Sequence, residues 1–221
     1  MRECSASTAD DLPVDVPGEG EGMHQEELDF RTSIEALFVQ ALSGDMTPKL
    51  RERLRQGGID LASLQPAYPR LVFSRCCRIA ADEVYPGLSP EEGLRRLGRR
   101  LIEGYAQTML GRAIVGVFRL IGVRRGLERV TRGFRSGDNY TETRFTLDGS
   151  TRADLWFNQV NGQPTFTLGM LEACMDWVGA KGARVQLLRL EGEGCVYRLE
   201  WIESGVRAAE TRTATDRPQP R

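Results

Sequence analysis

The chain has 221 residues, 40% of them hydrophobic and 28% charged, which is enough for a real hydrophobic core in one domain or two small ones. Its formal net charge is −1, and it contains a single histidine, His24. No run reaches the roughly 18 apolar residues of a membrane helix. Past residue 24 the chain therefore lacks the side chain most used for acid–base work near neutral pH, and for holding metals or haem.

Residues 1–27 are rich in acids, Gly, Ser and Pro, with little apolar area to offset the entropy of ordering, and read as a disordered acidic leader. Its opening, MRECSASTADDLPVDVPGEGEG, has no apolar stretch of the secretory kind, and the expected location is cytoplasmic. SIEALFVQAL then places Ile34, Leu37, Phe38 and Leu42 near one helical face. Thr47 followed by Pro48 predicts a cap and a first helical position, with Leu50 and Leu54 recurring before Gly57-Gly58. PRLVFSRCCRIAADEVYPG supplies another helix, stopped by Pro86-Gly87.

SPEEGLRRLGRRLIEGY carries the clearest local signal. Ser89 suits an N-cap, Pro90 the first helical position, and Glu92 completes an S-x-x-E capping box. Leu94, Leu97, Leu101, Ile102 and Tyr105 form its apolar stripe, and Gly93, Gly98 and Gly104 leave room for close packing at a cost of about 1 kcal/mol each in helicity. Two helices follow over residues 113–121 and 124–132, interrupted by Gly122, with FRSGDNY as exit loop. The period then changes to two, predicting an antiparallel hairpin over 140–158 with its turn at Asp148-Gly149, and Asn161-Gly162 supplies the next turn. A helix is expected over 168–178, with Met170, Cys174 and Trp177 on one face and Gly179 as its stop. RVQLLRL and CVYRLEW read as a last pair of strands, and residues 206–221 as a polar tail. The fold class is α+β: one domain over 28–205, a mainly helical first half followed by antiparallel hairpins with an intervening helix.

Five cysteines without C-x-x-C spacing, Cys4, Cys76, Cys77, Cys174 and Cys195, favour reduced thiols over a disulfide framework. Cys76 and Cys77 diverge by about 100° on a helix, and Cys174 and Cys195 fall on apolar faces, as buried small hydrophobes do. The carboxylates Asp82, Glu83, Glu91, Glu92, Asp154 and Glu172 fit capping and surface solvation better than catalysis. No phosphate loop is present. No catalytic, cofactor-binding or metal-binding residue is assigned, no cofactor is expected, and the chain is read as noncatalytic.

Charge is strongly segregated. Residues 1–31 hold nine acids against Arg2 and Arg31, whereas residues 95–135 hold eleven arginines against Glu103 and Glu128. Arg95, Arg96, Arg99, Arg100, Arg124 and Arg125 are the candidate interaction surface, suited to an acidic protein or to the chain's own acidic leader. The absence of interleaved aromatics disfavours nucleic acid, and a membrane partner is disfavoured as well. Near the sheet, Trp177, Tyr197 and Trp201 either close the core or line a candidate pocket for an apolar small molecule.

SIEALF, LRERLRQGGIDL followed by AYP, the VYPGLSPEEGLRRLGRRLIEGYAQTMLGRA block, FRSGDNY and GMLEACMDWVGA with YRLEW together resemble the myxobacterial paralogous family known as domain of unknown function 2378, over roughly residues 30–203. The family brings no established chemistry to these positions. The helices-then-sheet order and the GMLEACMDW segment are similar, more remotely, to the vinyl-reductase-like and haem-nitric-oxide-binding superfamily of small-ligand sensory domains. A haem-binding member needs a proximal histidine inside the domain, and here His24 precedes it, which leaves an apolar pocket as what the resemblance implies. The leading expectation is a noncatalytic regulatory or protein-interaction module, with self-association open to it. The alternative is a small-ligand sensory domain with an apolar pocket, and the third reading is an enzyme using carboxylate or thiol chemistry.

Overall fold

The computed structural model describes residues 26–107 and 109–202; His24, Cys4, nearly all of the acidic leader and the polar tail lie outside the described residues. β1 (Leu28–Phe30) pairs antiparallel with β2 (Ala67–Pro69), setting Asp29 opposite Tyr68. Between them, α1 (Arg31–Ile34) runs on as a π-helical segment, Glu35–Ala41, that buries Leu37 and Phe38. α2 (Pro48–Gly57) begins as its sequence directs. The Thr47 side chain accepts from the Leu50 amide at 3.1 Å, and Gly58 ends the helix at φ 110°, a left-handed conformation that favours glycine.

α3 (Arg70–Val84) and α4 (Pro90–Gln107) follow. Ser89 caps α4 by accepting from the Glu92 amide at 3.2 Å. The Glu92 carboxylate turns to Arg96 at 3.0 Å instead of reaching back to complete the box. α5 (Met109–Ile121) and α6 (Val123–Gly133) lead into the second half.

There β3 (Thr143–Leu147), β4 (Arg152–Phe157), β5 (Lys181–Glu191) and β6 (Gly194–Ile202) form one antiparallel sheet in the order β3-β4-β6-β5, with α7 (Pro164–Trp177) crossing between the two hairpins. The domain is α+β, helices first. α7 starts at Pro164, earlier than its periodicity predicts, because proline occupies the first helical turn behind Gln163.

The core has two parts. One packs α1 to α4 around Phe38, Leu54, Phe73 and Leu97. The other packs α6 and α7 on the sheet around Leu155, Cys174, Tyr197 and Leu199. α4 and α7 join them along a seam of unusually close backbone approach. A Cβ at Gly98 would stand 2.0 Å from the Phe166 carbonyl oxygen, and one at Gly169 would stand 1.8 Å from that of Arg95. No described helix is long and apolar enough to cross a membrane.

Candidate functional site

Beside this seam the two core halves part around a cavity of about 380 Å³, within the range of small-molecule sites. Its apolar wall comes from Phe73 on α3, Leu101 and Ile102 on α4, Phe118 on α5, and Phe166 and Met170 on α7. The α7 stripe Met170, Cys174 and Trp177 faces it as a unit, one side chain per helical turn.

The opposite end is polar. Tyr140 donates from its hydroxyl to Asp29 Oδ1 at 3.0 Å, and Asn161 Nδ2 donates to the Tyr140 oxygen at 2.9 Å. Ser33 gives its proton to the Gly137 carbonyl at 3.0 Å, which leaves the Ser33 oxygen to accept from Tyr105 at 2.8 Å. Gln163 Nε2 holds Ser74 through its carbonyl (2.8 Å) and its hydroxyl (2.7 Å). The Asp138 carboxylate accepts from the Thr141 amide and hydroxyl, both at 2.7 Å.

Asp29 stands apart in this network. It is 4% exposed, and its Oδ2 is buried with no hydrogen-bond partner. Burial pushes its pKa up to about 8, against the lowering effect of the Tyr140 hydrogen bond. Burial also raises the pKa of Asp138 and pushes the cavity-lining thiols of Cys77 and Cys174 well above their ordinary range.

Of the aromatic candidates, Trp177 lines the cavity. Tyr197 is fully buried in the sheet-side core, its hydroxyl donating to the Pro164 carbonyl at 2.7 Å. Trp201 is buried at the far end of the sheet beside Thr151 and Gly182. The arginines also divide. Arg95 bonds Glu172 (Nε to Oε1, 3.1 Å), Arg99 bonds Asp176 (2.7 Å), and Arg100 bonds Asp45 (2.7 Å) and the Ala41 carbonyl. Arg96 pairs within its own helix with Glu92. Arg124 and Arg125 on α6 are exposed. Sequence reasoning passed over Asp29, Tyr140 and Gln163, the residues that build the polar end.

The candidate carboxylates Glu83, Glu92, Asp154 and Glu172 all sit in ion pairs, with Lys49 and Arg53, Arg96, Arg198 and Arg95 respectively. Among the described residues no three His, Cys, Asp or Glu side chains gather as a metal site.

A family model described as a protein of unknown function (DUF2378) matches residues 27–202. The chain belongs to this family. No curated protein matches it in sequence. Solved H-NOX structures share the fold of this DUF2378 chain. The S. oneidensis H-NOX protein in its Fe(II)NO ligation state superposes with a TM-score of 0.55 at 10% identity, over 77% of this chain and 98% of that one. A structure on heme distortion in the H-NOX family gives 0.54 at 12%, over 77% and 93%. An unliganded Fe(II) H-NOX mutant from K. algicida gives 0.51 at 9%, over 78% and 97%.

The described walls of the cavity do not fit a haem. They offer no histidine, and burial pushes up the pKa of the thiols of Cys77 and Cys174 and of the phenols of Tyr105 and Tyr140, against the anionic forms in which these groups ligate iron. Arg129 is the one basic group among the described lining residues, where the two propionates of a haem would need cations.

Proposed function

We propose that this chain is a small-ligand sensory domain that holds an apolar molecule in the cavity between α4, α7 and the loop joining α6 to β3. The observation that carries the reading is the cavity itself: about 380 Å³, walled by Phe73, Ile102, Phe118 and Met170, with convergent polar groups at one end. The H-NOX-like fold supports it, since those relatives carry a haem whereas the walls here suit a different guest. The domain acts in the cytoplasm as a noncatalytic regulatory module, and its reading calls on no reacting group.

The test is gentle purification from the native host, followed by native and denaturing mass spectrometry. A stoichiometric, mainly apolar small molecule lost on denaturation is expected. Protein that emerges empty and shows no thermal stabilisation by any apolar compound overturns the reading.

A second reading, docking of an acidic protein on α6, is supported by exposed Arg124 and Arg125 and, at the end of the preceding α5, by Leu120, which is 88% exposed. Changing both arginines to serine then abolishes capture of that partner while cavity binding persists.

A further inference from the structure

Resting on the cavity reading above, we propose that Asp29 selects the ligand: as a neutral carboxylic acid it donates a hydrogen bond from Oδ2 to an uncharged carbonyl oxygen on an otherwise apolar molecule.

The direction of the hydrogen bonds leads there. Asn161 donates to Tyr140, and Tyr140 spends its only hydroxyl proton on Asp29 Oδ1. Oδ1 is thereby the accepting, carbonyl-like oxygen of the acid, and the acid proton belongs on Oδ2. That atom is buried, has no partner, and sits on a residue that lines the cavity. A buried donor left unmatched is costly, so the complementary ligand atom is an acceptor. Donors aligned head to tail also polarise one another, which strengthens the last bond of the series.

The surrounding charges favour a neutral guest. Asp29 is faced by Asp138 and Tyr140 on the loop after α6, by Glu27 ahead of β1, by Arg70 and Cys77 on α3 and by Tyr105 on α4. Arg70, the cation of that group, is held by Glu27 (2.6 Å), Gln159 (2.6 Å) and Asn161 (3.3 Å). An anionic head would meet Asp138 and Glu27 with that cation already engaged. A cationic head would require Asp29 to ionise in a buried place beside Asp138, against the direction in which burial drives it.

The test uses four matched probes on the full chain, read by calorimetry: acetylnaphthalene, its hydrocarbon isostere isopropenylnaphthalene, naphthylethylamine and naphthoate. The ketone is expected to bind about tenfold tighter than the hydrocarbon at about pH 6, and to lose that preference by about pH 9.5 as Asp29 ionises. Asp29→Asn keeps an oxygen for Tyr140 and an N–H for the ligand, so its ketone preference is expected to persist at both pH values. Equal binding of ketone and hydrocarbon at low pH overturns the role of Asp29 and leaves the cavity reading standing. Tightest binding by the amine, with affinity climbing as pH rises, or by naphthoate, overturns the choice of a neutral ligand. If none of the four binds, the cavity reading falls and this proposal falls with it. The wild-type pH series decides the matter even if the Asn variant fails to fold.

Discussion

Along one stretch α4 and α7 leave no room for a methyl group, and beside it the same two helices wall an open cavity. At the seam, Gly98 and Gly169 let each helix approach the other's backbone. Beside it, Leu101 and Ile102 on α4 and Met170 and Cys174 on α7 line the cavity. The contrast teaches that the cavity is not slack packing. Native interiors close to crystal-like density wherever they can yield, and here a rigid seam prevents the walls from collapsing inward. The sharpest way to break this comparison is to widen the seam. Gly169→Ala puts its Cβ 1.8 Å from the Arg95 carbonyl oxygen, and Gly98→Ala puts its own 2.0 Å from that of Phe166. Both obstacles are backbone, so the helices must separate. Each change is expected to cost about 3 kcal/mol in urea unfolding. Unchanged stability in both would show that the seam yields and the cavity is held open by something else.

The polar end of the cavity predicts a smaller effect with a definite sign. Asp29 holds its proton to about pH 8 in the fold, whereas an unfolded carboxyl releases it near ~3.9. Between those values the native state binds the extra proton, so stability falls as pH rises. From about pH 6 to about pH 8 the loss attributable to Asp29 is about 2 kcal/mol. Asp138, raised in the same direction, adds to the slope. Asp29→Asn removes the Asp29 share, so its unfolding midpoint is expected to vary less with pH than that of the wild type. Parallel pH profiles for the two proteins would show that Asp29 is ionised in the fold, and that the cavity's polar end is charged.

Much of this architecture was legible because it is local. The Thr47 and Ser89 caps, the stop at Gly58 and the period-two hairpins each need only a few neighbouring residues to declare themselves. The start of α7 was hidden because its apolar stripe, Met170, Cys174 and Trp177, does not extend into the first turn at 164–167, where Pro164 takes a first-turn helical position. β1 and β2 were hidden because three-residue strands have no pattern of their own and exist through each other. In the site, the spacing of Met170, Cys174 and Trp177 announced one shared face, which is the face that meets the cavity. Asp29 gave the opposite signal. In Leu28-Asp29-Phe30, alternation marks the acid as the solvent side, and nine acids over residues 1–31 make it look like one more leader charge. It is buried because the loop carrying Asp138 and Tyr140 returns over β1, a contact that only the folded chain brings about.

The smallest effect concerns what latches the seam. Arg95 and Arg99 on α4 reach across it to Glu172 and Asp176 on α7, and the Glu172 side chain is only 16% exposed. The arginines that read as a binding surface are thus largely committed within the molecule, and removing them tests stability before it tests partners. Exposed ion pairs are worth about 0–1 kcal/mol each, so changing Arg95, Arg96, Arg99 and Arg100 together to serine is expected to cost about 1–2 kcal/mol in total. The loss should shrink in molar salt, where such pairs are screened. Arg124→Ser with Arg125→Ser, on an exposed face of α6, should stay within about 0.5 kcal/mol of wild type. A double-mutant cycle isolates the latch itself. Arg95→Gln and Glu172→Gln, measured singly and together, should show a coupling of about 0.5–1 kcal/mol. A coupling near zero would mean that the glycines alone hold α4 against α7, and would return Arg95 and Arg99 to the surface as groups available to a partner.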